Sequence, residues 1–176
     1  MKVTAATAQA TQAIGLRLAR LLRAGDLVVL SGDLGAGKTT LTQGIGAGLG
    51  VRGEVTSPTF VIARVHPSLS GGPALVHVDA YRLDSFAEVD DLDLDADLDA
   101  AVTVVEWGEG LVEPLSASRL EIRLTRPHGR RGDDGQGDDG QGDDGQGDEA
   151  RSLDLTAIGP RWAGVDLGCL NPGEVG

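Results

Sequence analysis

The glycine-rich stretch from residue 32 to residue 39 constrains the fold of this chain more than any other part of it. Gly32-Asp-Leu-Gly-Ala-Gly-Lys-Thr39 fits the pattern G-x-x-x-x-G-K-[ST] without a mismatch. The apolar run Leu27 to Leu30 precedes it and predicts a buried strand, and a helix-like segment from Leu41 to Leu49 follows at once. A strand, a glycine loop and a helix in this order predict a loop that holds phosphate groups.

The residue types in this loop suit a nucleotide phosphate chain and a metal ion. Glycines let successive backbone N–H groups turn inward, where a Cβ would block a phosphate, and the following helix directs its positive end into the same space. Lys38 is placed to reach the β- and γ-phosphates, and the Thr39 hydroxyl to ligate Mg²⁺. Lys2 and Lys38 are the only lysines, and the other basic side chains counted as Lys or Arg are all arginines. A lysine at position 38 therefore indicates that this site needs a compact ammonium rather than a planar guanidinium. The predicted nucleotide-binding residues are Leu34, Gly35, Ala36, Gly37, Lys38, Thr39 and Thr40.

Composition limits the class of protein. The 176 residues suit one domain, and no apolar run approaches a membrane span. Because there is no apolar signal core and Cys169 is the only cysteine, we expect a cytoplasmic protein without a disulfide or a cysteine-built metal site. Without the eight acids of residues 132–149, the formal net charge changes from −12 to −4. No basic stripe for nucleic acid is present, so a partner would have to hold any RNA.

Two later strands are predicted to end in acids. Ala74–Asp79 and Ala101–Glu106 are apolar runs whose last residue is a carboxylate. P-loop ATPases need one acid for Mg²⁺ or its water and one for the attacking water, although an ordinary solvated strand end explains either acid alone. The spacing does not tell which acid has which role.

The remaining segments predict the frame around this site. Thr7 to Arg23 is amphipathic and predicts a helix that begins at Thr7 and stops at Gly25. Thr56-Ser-Pro-Thr-Phe60 fits either a capping turn before a strand from Phe60 to Val65 or a switch that senses the γ-phosphate. The acid- and leucine-rich segment from Asp84 to Asp99 lacks the glycine and glutamate of a calcium loop and predicts a solvated helix and loop. None of the histidines has the spacing of a metal site.

The last part of the chain predicts an antiparallel pair of strands. Arg119–Thr125 and Arg151–Ala157 alternate with period two. Their connector repeats Gly-Asp-Asp-Gly-Gln three times, so we expect residues 132–149 to be a disordered acidic insertion at a hairpin tip. Trp162 is expected to anchor the last apolar contact, and residues 163–176 to form a frayed tail. The predicted fold is a single α/β domain over residues 1–162, a P-loop NTPase-like mixed sheet flanked by helices with antiparallel C-terminal strands.

Four blocks of the sequence resemble one known family. They are Gly32-Asp-Leu-Gly-Ala-Gly-Lys-Thr-Thr40, Thr56-Ser-Pro-Thr-Phe60, His77-Val-Asp-Ala-Tyr-Arg-Leu83 and Val105-Glu-Trp-Gly-Glu109. Their order and spacing are similar to those of the TsaE (YjeE) family, bacterial ATPases of tRNA threonylcarbamoyladenosine biosynthesis. The likeness runs from Met1 to about Leu124, and the Gly-Asp-Asp-Gly-Gln insertion and the tail depart from it.

The resemblance implies specific roles. It implies that the chain binds ATP, that Thr39 and Glu106 hold Mg²⁺, that Asp79 is needed for activity, and that Ser57–Thr59 form a switch. With Lys38, the acids Asp79 and Glu106 are then the candidate catalytic residues. The resemblance also implies that the protein binds the TsaB–TsaD heterodimer, which carries the tRNA, and that ATP hydrolysis supports turnover of that complex. The protein would not itself transfer the threonylcarbamoyl group, and no membrane is involved.

Three other functions remain open on the residues alone. A small-molecule kinase would need an acceptor pocket and usually an arginine-bearing lid, and no clear lid lies between Arg82 and Ala101. A GTPase commonly carries an N-K-x-D element, which this chain cannot form with Lys2 and Lys38 as its only lysines. A scaffold that binds nucleotide without hydrolysing it is the third.

Overall fold

The computed structural model describes residues 1–58, 62–83, 85, 88, 99–126 and 150–171. In chain order, its strands and α-helices are β1 Lys2–Ala5, α1 Ala8–Ala19, β2 Leu27–Ser31, α2 Lys38–Leu49, β3 Ala63–His66, β4 Ala74–Asp79, β5 Ala101–Glu106, β6 Arg119–Thr125 and β7 Arg151–Ile158. Three short 3₁₀ helices cover Glu113–Leu115, Pro160–Trp162 and Gly168–Leu170. Neither α-helix in these residues is long and apolar enough to span a bilayer.

All of these strands form one mixed sheet in the order β1-β7-β6-β2-β5-β4-β3. The four central strands, β6, β2, β5 and β4, run parallel, while β3, β7 and β1 pair antiparallel at the two sides. The predicted α/β fold with antiparallel C-terminal strands is therefore confirmed. Because the carboxyl ends of parallel strands meet at one edge of a sheet, the ends of β2, β4 and β5 lie together.

The core lies on both faces of the sheet. On one face α1 and α2 pack against each other and against residues such as Val28, Leu30 and Val104. On the other face Leu27 and Val29 belong to a second apolar cluster. Since β2 is buried on both faces, it reads as a continuous apolar run rather than an alternating one.

Helix α1 begins where predicted but ends earlier. The Thr7 hydroxyl accepts a hydrogen bond from Ala10 N at 3.0 Å, so the predicted N-terminal cap is confirmed. The helix ends at Ala19 instead of continuing to Arg23 and stopping at Gly25. The physical reason is the next turn, in which Asp26 accepts a hydrogen bond from Arg23 N at 2.9 Å.

Helix α2 is longer than predicted, because it begins at Lys38 rather than at Leu41. It ends at Leu49, as the sequence predicted, and Gly50 adopts φ 66° just after it. Strand β3 covers Ala63–His66; the predicted strand ran from Phe60 to Val65, and its first two residues lie outside the described part of the chain. Strand β7 continues to Ile158, one residue beyond its predicted end.

The prediction of a frayed tail is wrong for residues 163–171. The Leu170 side chain is fully buried, and the Arg17 guanidinium donates a hydrogen bond to Leu170 O at 2.9 Å. Apolar burial against α1 therefore orders a segment whose glycine and proline content indicated fraying. The predicted anchor Trp162 is confirmed, since it is only 4% exposed in the core. Strand β1 was not predicted, because its apolar signal consists of only Val3 and Ala5.

Several predictions fall outside the described residues. They concern the acidic insertion 132–149, most of the segment from Asp84 to Asp99, and Thr59 in the proposed switch. The tail residues 172–176 belong with them.

Candidate functional site: a phosphate-binding loop with two strand-end acids

The glycine loop connects the end of β2 to the start of α2. Gly32 and Gly37 have φ values of 129° and 106°, a conformation that side chains disfavour. Gly37 is the residue before the helix and has no side chain with which to cap it. The first N–H groups of an α-helix lack intrahelical partners, so this end suits an anion.

A cavity of about 370 Å³ lies in front of this loop. Its volume is at the lower end of the range of small-molecule sites, about 300–1,000 Å³, and fits a phosphate chain. All the predicted site residues except Ala36 line this cavity, and Ser57 and Trp107 line it as well. The full lining is Leu34, Gly35, Gly37, Lys38, Thr39, Thr40, Ser57, Asp79, Glu106 and Trp107. The Ala36 methyl group is instead buried in the core.

Lys38 is fixed inside the cavity by the loop itself. Its ammonium donates hydrogen bonds to Gly32 O at 2.7 Å and Asp33 O at 3.0 Å. The same Nζ lies 3.7 Å from the centre of the Trp107 ring, which is cation–π geometry. The lysine is thus held over the cavity with only 5% of its surface exposed.

Burial lowers the pKa of Lys38 from its ordinary value, because an ammonium loses hydration there. The carboxylates of Glu106, Asp79 and Asp33 act in the opposite direction and favour the charged form. The cavity therefore brings one buried amine together with two buried acids, Asp79 and Glu106.

The Thr39 hydroxyl and the Glu106 carboxylate meet at the base of the cavity. Thr39 Oγ1 donates to Glu106 Oε1 at 2.9 Å and lies 3.2 Å from Oε2. Glu106 faces Leu30 across the β2–β5 register, which sets its carboxylate beside the start of α2. Hydroxyl and carboxylate oxygens are ligands that Mg²⁺ prefers, so these two residues fit a magnesium ion.

Asp79 lies beside Glu106, because the parallel register of β4 and β5 pairs the two residues. Its carboxylate accepts hydrogen bonds from Ser57 Oγ at 3.0 Å and from Tyr81 N at 3.1 Å. The loop that the sequence singled out as a turn or a switch thus contacts the second strand-end acid. Both acids are nearly buried, with 5% and 3% of their surfaces exposed.

Two residues of the site were not predicted. His77 Nε2 lies 2.8 Å from Glu106 Oε1. Its position two residues before Asp79 could have indicated this, because period two places both side chains on one face of a strand. Trp107 adopts φ 63°, which is uncommon for a bulky residue. No pattern in the sequence predicts that backbone conformation.

Comparisons with known proteins agree on one family. The family model described as "Threonylcarbamoyl adenosine biosynthesis protein TsaE" matches residues 5–132. A tRNA threonylcarbamoyladenosine biosynthesis protein TsaE from Streptomyces coelicolor is 58% identical over 158 residues, which cover 89% of this chain and 97% of that protein. A protein of the same name from Bacillus subtilis is 37% identical, with coverage of 86% and 82%.

A solved structure has the same fold. The crystal structure of YdiB from Bacillus subtilis superposes with a TM-score of 0.64 at 30% sequence identity. The superposition covers 93% of this chain and 88% of that one.

Proposed function

We propose a function that starts from the family of this chain: the chain belongs to the TsaE family, which takes part in tRNA threonylcarbamoyladenosine biosynthesis. Within that pathway it is an Mg²⁺-dependent ATPase. It binds the TsaB–TsaD heterodimer and supports its turnover in the modification of tRNA at position 37, without transferring the threonylcarbamoyl group itself.

One observation carries this proposal. The hydroxyl of Thr39 and the carboxylate of Glu106 lie within 2.9 Å of each other in a cavity that also holds Lys38 and Asp79. A loop that only turns the chain would not need a buried amine, a hydroxyl and two buried acids in one place, because buried charges cost free energy unless they are paired.

Lys38 and the amides of the loop bind the triphosphate. The ammonium exchanges the carbonyls of Gly32 and Asp33 for phosphate oxygens, which offer a full negative charge instead of a dipole. The uncapped N-terminus of α2 adds its dipole at the same point. Thr39 and Glu106 hold the metal ion, and a bound Mg²⁺ supplies neutralisation of charge on the phosphates.

Asp79 organises the attacking water. Its carboxylate is fixed by Ser57 and by the amide of Tyr81, and it stands next to Glu106 in the cavity. A fixed carboxylate can accept a hydrogen bond from water and orient it. The contact with Ser57 connects this acid to the segment from Ser57 to Thr59, the proposed switch.

The tRNA is reached only through partners. Without the eight acids of residues 132–149 the formal charge is still −4, which does not favour direct contact with a polyanion. Cytoplasmic location follows from the proposed role, since tRNA modification of this kind takes place there.

The decisive experiment measures phosphate release from ATP in the presence of purified TsaB and TsaD. We expect Lys38→Ala and Glu106→Ala each to reduce the rate by at least about 100-fold, because the first removes a positive charge beside the phosphates and the second removes a ligand of the metal ion that would neutralise them. Lys2→Ala and Glu54→Ala are the matched controls, since both residues lie outside the cavity, and they should leave the rate unchanged. Wild-type rates in both cavity variants would refute the assigned roles.

A second experiment tests the partners. The protein should co-purify with TsaB and TsaD, and retention should differ with and without ATP. Hydrolysis that is indifferent to TsaB–TsaD, together with no retention under either condition, would contradict the proposed partners while leaving an ATPase.

A further inference from the structure

His77 is a polar residue in a position that an apolar one could fill. It lies within β4, is fully buried, and has Val76 and Val78 as its neighbours along the strand. Burying an imidazole costs free energy unless its nitrogens are paired. A contact elsewhere in the structure therefore has to explain it.

That contact is with Glu106. In the parallel register His77 faces Val104 and Asp79 faces Glu106, so His77 and Glu106 are diagonal neighbours on one face of the sheet. Nε2 lies 2.8 Å from Glu106 Oε1. A carboxylate only accepts, so Nε2 carries the hydrogen and donates it.

The other ring nitrogen has no competing role. Nδ1 is buried and makes no hydrogen bond within the described part of the chain. Within the described part of the chain, the His77 imidazole therefore hydrogen-bonds to Glu106 through Nε2 and to no other group through Nδ1. A histidine that served only to join two strands would use a backbone carbonyl equally well, as the buried His66 does through Nδ1 and Arg52 O at 3.3 Å.

The hydrogen bond restrains how the Glu106 carboxylate is turned. Oε1 accepts from both His77 at 2.8 Å and Thr39 at 2.9 Å, which fixes one oxygen on two sides. The terminal torsion of a glutamate is otherwise broad, so a carboxylate without such partners samples many orientations. With His77 in place, the carboxylate and the Thr39 hydroxyl keep a single relative geometry.

We propose that His77 is a positioning residue, which holds the Glu106 carboxylate in the orientation that receives the Mg²⁺ of a bound nucleotide together with Thr39. This inference rests on the function proposed above. Hydrogen bonds that orient a metal-ligating group typically change metal affinity by about 10- to 100-fold when they are removed. His77 itself does not line the cavity.

The test measures binding rather than hydrolysis. The dissociation constant of a non-hydrolysable ATP analogue is determined by calorimetry with Mg²⁺ and again with EDTA, for the wild type, His77→Leu and His77→Gln. Leucine fills the site without a donor, whereas glutamine places an N–H near the position of Nε2. His66→Leu is the matched control, because it also removes a buried imidazole but one that does not contact a carboxylate.

The gain from Mg²⁺ is the ratio of the affinity for the analogue with Mg²⁺ to its affinity with EDTA. We expect His77→Leu to reduce this gain by about 10-fold or more, with the affinity in EDTA unchanged. His77→Gln should restore most of the gain, and His66→Leu should not alter it. An unchanged gain in His77→Leu, or an equal loss in EDTA and in Mg²⁺, would overturn the inference. If His77→Leu does not fold, His77→Gln and His77→Asn decide the question, because the shorter amide of asparagine should not reach Glu106; equal gains in both would overturn it.

A failure of this inference differs from a failure of the proposed function. Glu106→Ala should abolish the gain from Mg²⁺ if Glu106 holds the metal. If Glu106→Ala abolishes it and His77→Leu does not, only the role of His77 is lost. If the wild type shows no gain from Mg²⁺, or binds no nucleotide, the proposed function fails and the inference with it.

Discussion

Gly32 shows how strictly single positions of the loop are determined. It follows β2 directly, with φ 129°, and lies beside the end of β6. A Cβ at this position would lie 2.1 Å from the carbonyl oxygen of Leu124, which is backbone and has little freedom to move. The glycine is therefore required both by its dihedral angle and by close approach.

Gly32→Ala should lower the free energy of unfolding by about 2 kcal/mol or more, because it combines a disfavoured φ with a clash against backbone. Urea denaturation measures this. Gly53→Ala is the control, since Gly53 has φ 80° but nothing lies within 4 Å of where its Cβ would be, so it should lose only about 1 kcal/mol from the dihedral angle. Equal losses would show that the contact with Leu124 is relieved at little cost.

At the scale of elements, a buried ion pair connects the 3₁₀ helix Pro160–Trp162 to the turn before β2. The Arg161 guanidinium donates to both oxygens of Asp26, each at 2.7 Å, and to Leu21 O at 2.8 Å. Asp26 is only 2% exposed. Since Asp26 also sets the turn after α1, this pair helps to decide where that helix ends.

Arg161→Met should destabilise the protein by about 3–5 kcal/mol, because it leaves the Asp26 carboxylate buried without its cation. Thermal or urea unfolding checks this. Arg123→Ala is the control at an exposed pair with Glu109, in which both side chains are 59% exposed, and it should cost less than about 1 kcal/mol. The prediction fails if the two variants lose similar amounts.

At the scale of the whole molecule, both ends of the described chain take part in the fold. Strand β1 pairs with β7 at the side of the sheet, and the terminal amine of Met1 donates to Leu155 O at 2.7 Å beside that pairing. Leu170, far along the chain, is fully buried in the same core as α1. The domain therefore extends past Trp162, where the sequence alone placed its end.

Leu170→Ala should cost about 2–5 kcal/mol of unfolding free energy, which is the usual range for removing a buried leucine side chain. Leu69→Ala is the matched control, since Leu69 is 67% exposed and its truncation should change stability by no more than about 0.5 kcal/mol. A change at Leu170 as small as that at Leu69 would support the frayed tail that the sequence predicted. Both variants are measured by the same denaturation assay.

The sequence by itself determined the glycine loop, its lysine and threonine, and the strands that end in acids. These features depend on neighbouring residues, since dihedral preference, period-two alternation and residue chemistry act over a few positions. For the same reason, the sequence alone was enough to predict the antiparallel pair β6 and β7.

The family resemblance implied Glu106 as the partner of Thr39, but among the physical arguments only the tertiary structure decided which acid meets that hydroxyl. Asp79 and Glu106 look alike in the sequence, but β5 lies beside β2 and β4 lies one strand further away, so Glu106 reaches the hydroxyl. The same strand order brings His77 to Glu106 and Trp107 under Lys38. Strand order is set by the burial of both faces of the sheet by segments far apart in the chain, and local sequence does not encode it.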